Sequence, residues 1–598
     1  MKKAMILWSI LLIVTAQVGK SFNYDTIKHS PSLEFTDCFL EDCSSFFYVS
    51  RIQFAHLIVP EDYENPDGRL LKLAFVIIKS ANGNPEQDPV IHLSGGPGGK
   101  SISVNRIKAF ANHPFSQNRD IILMDFRGIG FSEPAFCPEL QEEMLIIAAQ
   151  NLSSNEATEI TLKHFSDCFV KLKADGINLS KYNSSTVVQD LERLRIALGI
   201  GLWNLWGISY GTRVAQTYLR DFPESVRCAI MDSPVPMGYA MWGEQTKTYQ
   251  KSLTAFFDAC KVSPECRDAF PNLEERFYNA MHSLKEKPLT FKHKNAPDGF
   301  VHYNFYNIHL IIYQLIYMPE FYPALPWLIK GIENRNKYIF ENITPGVEDR
   351  TLNYSDAMFV TVLKYDNGLI LSDYYSEPDD TLHGALNYFD NVILMMKQID
   401  FIAQDSLEAL PVFSEKPSLI LVGSLDPITP PFYAHILKQS LSNSFLFEFP
   451  GRGHGLTRDT ECAKKIASDF LNNPYSEPDA HCITEMEMHP IQWVTKMHYN
   501  PRIATLAQQM FIKKQWHLLG GATLLFLTFM ISIIAALINL LRKNRKSAIP
   551  PIRTRNIISR FSALFAILLL SGLGWFIVKT GNENSPLLLM GLIKEATP

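Results

Sequence analysis

A serine framed by two glycines, Gly207-Ile208-Ser209-Tyr210-Gly211, follows the apolar run 202–206 and precedes a helix-like stretch at 212–218. Strand, sharp turn and helix in that order form a nucleophile elbow, a strained turn that lifts a serine hydroxyl clear of a sheet. Glycines on both sides suit such a turn, since bulkier residues would clash with the adjoining strand and helix. Ser209 is therefore the candidate nucleophile. Composition alone yields this pattern on the order of 0.1 times in a chain of this length, so the reading needs partners elsewhere.

A serine hydroxyl near neutral pH needs a base, a carboxylate to orient that base, and donors for an oxyanion. The strand-like run 419–423 leads into Ser424-Leu425-Asp426-Pro427, with Asp426 at its exit. A second strand exit, Phe449-Pro450-Gly451-Arg452-Gly453-His454-Gly455, ends in a histidine between glycines that allow close backbone approach. Ser209, Asp426 and His454 thus occur in a chain order that a triad uses. The alternatives are a turn-capping role for Asp426 ahead of its proline and a structural or surface role for His454. Oxyanion donors are best supplied by backbone N–H groups, because fixed dipoles need no reorganisation as charge develops. Tyr210, directly after the nucleophile, offers one, and Gly96 in the turn His92-Leu93-Ser94-Gly95-Gly96-Pro97-Gly98-Gly99 offers the other. That turn lacks both the Gly-Lys-Ser/Thr ending of a phosphate loop and the spacing of a dinucleotide fingerprint.

These residues require a scaffold that brings strand ends together. Short apolar runs rich in β-branched residues recur at 70–78, 89–93, 120–125, 202–207, 228–232, 418–422 and 445–449, with helix-like segments such as 185–198 and 210–220 between them. The alternation predicts an α/β fold with a mostly parallel central sheet covered on both faces. The aromatic-rich interval 237–410 breaks the rhythm, with helical periodicity at 246–259, 273–284 and 386–402, and is expected to be an inserted helical cap. The core would then comprise 21–236 and 411–500.

The full chain has 598 residues, 46% of them hydrophobic, enough for a sizeable core, and a formal net charge of −5 with pI near 6.4. Basic residues are not pooled along a face that would track nucleic acid. The start, Met1-Lys2-Lys3 followed by an apolar run to Val14 and then Thr15-Ala16, reads as a signal peptide over residues 1–16, an uncleaved anchor being the alternative. Eight of nine cysteines suggest local pairs, Cys38 with Cys43, Cys137 with Cys168, Cys260 with Cys266 and Cys462 with Cys482, leaving Cys228 as a buried small hydrophobe. No Cys/His cluster has zinc-ligand spacing, and no metal is expected. Asn-x-Ser/Thr sites stand at Asn151, Asn178, Asn183, Asn342 and Asn353.

Uncharged stretches at 518–541 and 561–578 would be roughly 36 and 27 Å long as helices, against a hydrocarbon core of about 30 Å. They read as a transmembrane hairpin, with a buried helix as the alternative for the second. The loop 542–560 carries Arg542, Lys543, Arg545, Lys546, Arg553, Arg555 and Arg560 and is expected on the cytoplasmic side, which places the body outside the cytoplasm, periplasmic if the source is bacterial.

Ser94-Gly95-Gly96-Pro97-Gly98-Gly99, Asp125-Phe126-Arg127-Gly128-Ile129-Gly130-Phe131-Ser132, the Ser209 elbow, the Asp426 segment and Gly453-His454-Gly455 together resemble the α/β-hydrolase peptidases of the prolyl iminopeptidase and tripeptidyl aminopeptidase group. The resemblance spans roughly residues 45–485 and is nearer to the secreted tripeptidyl aminopeptidase branch. It implies a serine exopeptidase that acts on free peptide N-termini, with an acidic pocket in the cap for the substrate ammonium; the hairpin adds the expectation of a membrane anchor, and the triad chemistry needs no cofactor. Glu244 and Asp366 are the acids considered for that pocket. Ser94 stands where the iminopeptidases carry histidine, and the hairpin is foreign to the family pattern. Two other functions remain open: an esterase or lipase using the same triad, and a non-catalytic receptor or assembly protein on a retained fold. Oligomeric state is not legible in the sequence.

Overall fold

The computed structural model describes residues 32–43, 51–293, 296–371, 387–399, 406–488, 491, 493–495, 497–499 and 592–594. The expected signal peptide, both apolar segments of the hairpin and the basic loop between them lie outside the described residues. Among the described residues, no helix is long and apolar enough to cross a membrane.

Among the described residues the strands up to Phe449 are β1 (Ser32–Thr36), β2 (Ile52–Pro60), β3 (Leu70–Ile78), β4 (Val90–Leu93), β5 (Ile121–Met124), β6 (Trp203–Ile208), β7 (Val226–Asp232), β8 (Leu289–Lys292), β9 (Phe300–Tyr303), β10 (Ser418–Gly423) and β11 (Ser444–Phe449). Nine of them form one sheet in the order β1-β2-β3-β5-β4-β6-β7-β10-β11. From β5 to β11 every neighbouring pair is parallel, whereas β1, β2, β3 and β5 pair antiparallel at the other end. The parallel strands β4, β5, β6 and β10 are buried along their whole length, as a sheet covered on both faces requires. Helices Ser184–Ala197 and Tyr210–Asp221 pack into the apolar cluster on one face through Val187, Leu191, Val214 and Tyr218. Helices Val104–Ala111 and Glu461–Asn472 fill the other through Ile107, Phe110, Ile466 and Phe470.

The interval between β7 and β10 holds a succession of helices, among them Gln245–Val262, Leu273–Glu286, Phe305–Ile316, Lys337–Leu352 and Asp356–Leu371. It is not wholly helical, because β8 and β9 form a two-stranded antiparallel hairpin within it. The helix expected at 386–402 is described as Asn387–Gln398.

The segment Asp125–Ser132 ties loops at the carboxyl end of the sheet to one another. Asp125 is fully buried at the end of β5, and its Oδ1 accepts the amides of Ser101 (2.6 Å) and Ile102 (3.0 Å), while Oδ2 accepts that of Phe131 (3.0 Å). Burial pushes its carboxyl up to about 6 against the pull of those amides. Gly130, at φ 60°, is required here, since a Cβ would lie 2.1 Å from Asp125 Oδ2. Arg127 makes a bidentate pair with Asp190, at 2.8 and 2.6 Å, and donates to the Glu61 carbonyl at 2.7 Å. Both charges are buried, so their fixed fork geometry and extra donors are what offset desolvation.

Disulfides join Cys38–Cys43, Cys137–Cys168, Cys260–Cys266 and Cys462–Cys482, the four pairs expected from spacing. Cys228 is a free, buried thiol in β7, and burial pushes it up to about 12. Ellman's reagent should titrate no thiol in the native protein at pH 8 and one per chain after denaturation; a rapidly reacting native thiol would contradict both the pairing and the burial.

Candidate active site

The strand β6 delivers Ser209 directly into the helix Tyr210–Asp221. Ser209 has φ 58° and ψ −126°, a region that non-glycine residues rarely occupy. Its amide donates to the Asp232 carbonyl at 2.9 Å, and its carbonyl accepts Thr212 Oγ1 at 2.6 Å, so the turn is held on both sides. The two elbow glycines are dictated by contact. A Cβ on Gly211 would stand 2.0 Å from the Leu93 carbonyl oxygen, and one on Gly207 would stand 2.5 Å from that of Gly211.

Asp426 and His454 leave the ends of β10 and β11, which pair with each other, and both side chains are buried. His454 Nδ1 lies 2.7 Å from Asp426 Oδ2. The carboxylate also accepts the amides of Ile428 and Thr429, each at 2.9 Å on Oδ1, and Thr429 Oγ1 at 2.8 Å on Oδ2. Such a ring of donors fixes the carboxylate's orientation. The far nitrogen of the imidazole, Nε2, is buried and has no hydrogen-bond partner among the described residues. The Tyr317 ring lies on the imidazole face, with centroids 4.4 Å apart, and the Tyr317 carbonyl accepts the His454 amide at 3.4 Å.

The glycine-rich turn after β4 lies against the elbow. A Cβ on Gly95 would be 3.1 Å from Ser209 Cβ and 3.6 Å from Ser209 Oγ. Gly96 has φ 128°, and Tyr210 is the first residue of its helix, a position whose N–H the helix itself does not use. Both candidate donors are thus on backbone bordering Ser209.

Asp232, at the end of β7, is a residue that sequence reasoning passed over. Its backbone carbonyl takes the Ser209 amide, while its carboxylate accepts the amides of Leu456 (3.0 Å) and Thr457 (2.8 Å) and the Thr457 hydroxyl (2.6 Å). The adjacent Ser233 Oγ accepts the Gly455 amide at 2.8 Å. One strand end therefore joins the elbow to the residues that follow His454. Burial holds the Asp232 carboxyl above its ordinary range, with the Thr457 donors acting against that rise. The available signal was an acid at the exit of a strand beside the one that carries Ser209.

The two acids considered for an ammonium are not brought together. Asp366 is fully buried and paired with Arg213 at 3.1 Å, and it also accepts the Ser184 amide at 3.2 Å and the Ser184 hydroxyl. Burial pushes Asp366 up to about 6, a rise that Arg213 opposes and the charge of Glu408 reinforces. Glu408 shares the same Arg213 at 3.0 Å and also pairs with Arg220 at 3.0 Å. Burial alone would raise Glu408, but Arg220 and Arg213 outweigh it and hold the carboxyl low. Glu244 is half-buried and accepts the Tyr239 hydroxyl at 2.8 Å.

Residues 88–456 match the family described as alpha/beta hydrolase fold. The chain belongs to that family. A tripeptidyl aminopeptidase of Streptomyces lividans is 30% identical over 207 residues, which cover 33% of this chain and 38% of that protein. The serine protease Hip1 of Mycobacterium tuberculosis is 28% identical over 219 residues, covering 35% of this chain and 42% of Hip1. The chain thus spans about two fifths of the length of these curated relatives. Among solved structures, a proline iminopeptidase from Mycobacterium smegmatis is similar at 15% identity with a TM-score of 0.35, covering 70% of this chain and 98% of that one.

Asp232→Asn replaces an acceptor of four donors, the amides of Leu456 and Thr457 and the hydroxyls of Thr457 and Ser233, with a group that presents an N–H to part of them. The expected result is a loss of about 1–3 kcal/mol in stability, seen as a lower denaturation midpoint, together with reduced labelling of Ser209 by a fluorophosphonate. Unchanged stability and labelling would remove Asp232 from the positioning of this site.

Proposed function

We propose that this protein is an extracytoplasmic serine hydrolase that removes residues or short peptides from free peptide N-termini. The observation that carries the reading is the buried His454–Asp426 pair with Nδ1 engaged at 2.7 Å and Nε2 unpartnered. Asp426 accepts from Nδ1–H and so leaves Nε2 as the basic nitrogen, which is the tautomer a general base requires.

In this mechanism Ser209 Oγ attacks the scissile carbonyl while His454 Nε2 takes the hydroxyl proton. The imidazolium that forms is stabilised by Asp426, and the Tyr210 and Gly96 amides receive the developing oxyanion. Collapse expels the leaving amine, protonated by His454, and the acyl-enzyme remains on Ser209. His454 then takes a proton from water, whose oxygen attacks the acyl carbonyl; the bond between Ser209 Oγ and the acyl carbon breaks, His454 returns the proton to Ser209 Oγ, and the acyl group leaves as a carboxylic acid.

The peptidase assignment draws on the names of the relatives, a tripeptidyl aminopeptidase and a serine protease. Recognition of a free N-terminus calls for an acid with uncompensated charge. Asp366 is spent on Arg213, so Glu244 is the acid assigned to the substrate ammonium; among the described residues it has no cationic partner. Its neighbour Gln245 reaches the Ile428 carbonyl in the Asp426 loop, at 3.5 Å. Four disulfides suit an oxidising compartment, in keeping with export and with anchoring by segments 518–541 and 561–578.

The test is hydrolysis of matched peptides with free or acetylated N-termini. Cleavage should require the free amine, and Ser209→Ala should lower kcat/KM by about 10,000-fold or more without shifting the melting temperature by more than a few degrees. Equal cleavage of acetylated peptides would overturn the exopeptidase assignment, and undiminished turnover in Ser209→Ala would overturn the mechanism.

A further inference from the structure

The two amides assigned to the oxyanion lie on separate pieces of chain, one opening the helix Tyr210–Asp221 and one in the turn after β4. The helix Asp356–Leu371 touches both pieces. At its amino end, the Ser355 amide donates to the Gly98 carbonyl at 3.0 Å, and Tyr354 forms an antiparallel bridge with Gly99. The Tyr354 ring comes within 3.4 Å of where a Cβ on Gly96 would be, and the Tyr354 carbonyl is fixed by Gln141 Nε2 at 2.6 Å. Almost three turns further along, Asp366 accepts the Ser184 hydroxyl, and Ser184 Oγ lies 2.8 Å from Tyr210 Oη.

The direction of this chain follows from its members. An ionised carboxylate only accepts, so Ser184 O–H donates to Asp366 and the Ser184 lone pair is left for Tyr210 O–H. Asp366 is held in turn by Arg213, four residues after Ser209 on the same helix as Tyr210. All four residues are buried, and in such surroundings a satisfied polar network specifies one arrangement of the groups it joins.

We infer that Asp366 and Ser184 are positioning residues that hold Tyr210, and with it the amide after the nucleophile, from the cap side. The oxyanion site is then completed by the seating of the helix Asp356–Leu371, which grips the Gly96 turn at one end and the Tyr210 side chain at the other. This rests on the assignment of the Tyr210 and Gly96 amides as oxyanion donors.

A double-mutant cycle separates positioning from plain stability. Ser184→Ala removes the bridge, Tyr210→Phe keeps the amide and removes the phenol that binds the bridge, and Ser184→Thr preserves the hydroxyl. Asp366→Asn would alter a buried ion cluster that Arg213 shares with Glu408, so a change in rate could come from that cluster alone, and the cycle avoids it. On the full-length protein, each of the first two variants should lower kcat and the rate of Ser209 labelling by a fluorophosphonate by about tenfold, with KM within about twofold. The double variant should be no slower than the slower single variant, and Ser184→Thr should recover most of the rate. Additive losses, or a fall in melting temperature with kcat unchanged, would overturn the inference. Failure of the wild-type protein to label at Ser209 would instead overturn the underlying mechanism, so the two failures are distinguishable.

Discussion

The backbone of Ser209, at φ 58° and ψ −126°, costs about 1–3 kcal/mol in an ordinary chain and persists only where its surroundings determine it. Those surroundings are three backbones packed to contact: β6 ahead of the turn, the helix behind it and the end of β4 beside it. Gly207 and Gly211 permit that contact, because at both positions a single added carbon would meet a carbonyl oxygen at 2.5 Å or less. A helix-interior alanine ordinarily exceeds glycine in stability by about 1 kcal/mol, and at Gly211 this preference is overridden. The position of Ser209 is thus a packing consequence of the sheet, settled before any proposed partner is considered.

Around that point the same device recurs at the ends of neighbouring strands. Asp125 after β5, Asp232 at the end of β7 and Asp426 after β10 each gather two or more amides from a loop that leaves the sheet. A carboxylate can accept about four hydrogen bonds, and backbone amides at the carboxyl edge of a parallel sheet lack partners in the ladder. Each aspartate therefore converts an irregular loop into a fixed one. What distinguishes Asp426 is the kind of donor: the Asp125 carboxylate holds backbone amides and that of Asp232 holds amides and hydroxyls, whereas Asp426 also holds the imidazole of His454.

Much of the sheet was legible, because buried parallel strands read as continuous apolar runs and each of the seven expected runs is matched by a strand. The strands that were passed over are of a different kind. β2 alternates between buried and half-exposed positions and contains Gln53 and His56, and β8 and β9 have only four residues each, too few for a period to emerge. Site residues followed the same division. Ser209, Asp426 and His454 are announced by local glycines and strand exits, so their neighbourhood could be read from the chain. Asp232 and Asp366 take their meaning from partners far away in sequence, Thr457 for one and Arg213 and Ser184 for the other, and no local pattern records those meetings.

Asp366 also shows why an acid in the cap is not by that fact a site for an ammonium group. A carboxylate buried against a guanidinium already has its field compensated, and bringing a second cation near it means desolvating that cation for little further attraction. An acid that awaits a cationic substrate faces the opposite requirement, since it must remain uncompensated while the site is empty. Full burial in that condition would push it toward the neutral form, so partial hydration and one or two neutral donors are the workable compromise. Glu244 meets that description, half-buried and engaged by the Tyr239 hydroxyl alone among the described hydrogen bonds. The division between Asp366 and Glu244 is therefore one of electrostatics: the acid compensated within the protein fits the bracing role inferred above, and the one without a cationic partner among the described residues fits the proposed ammonium site.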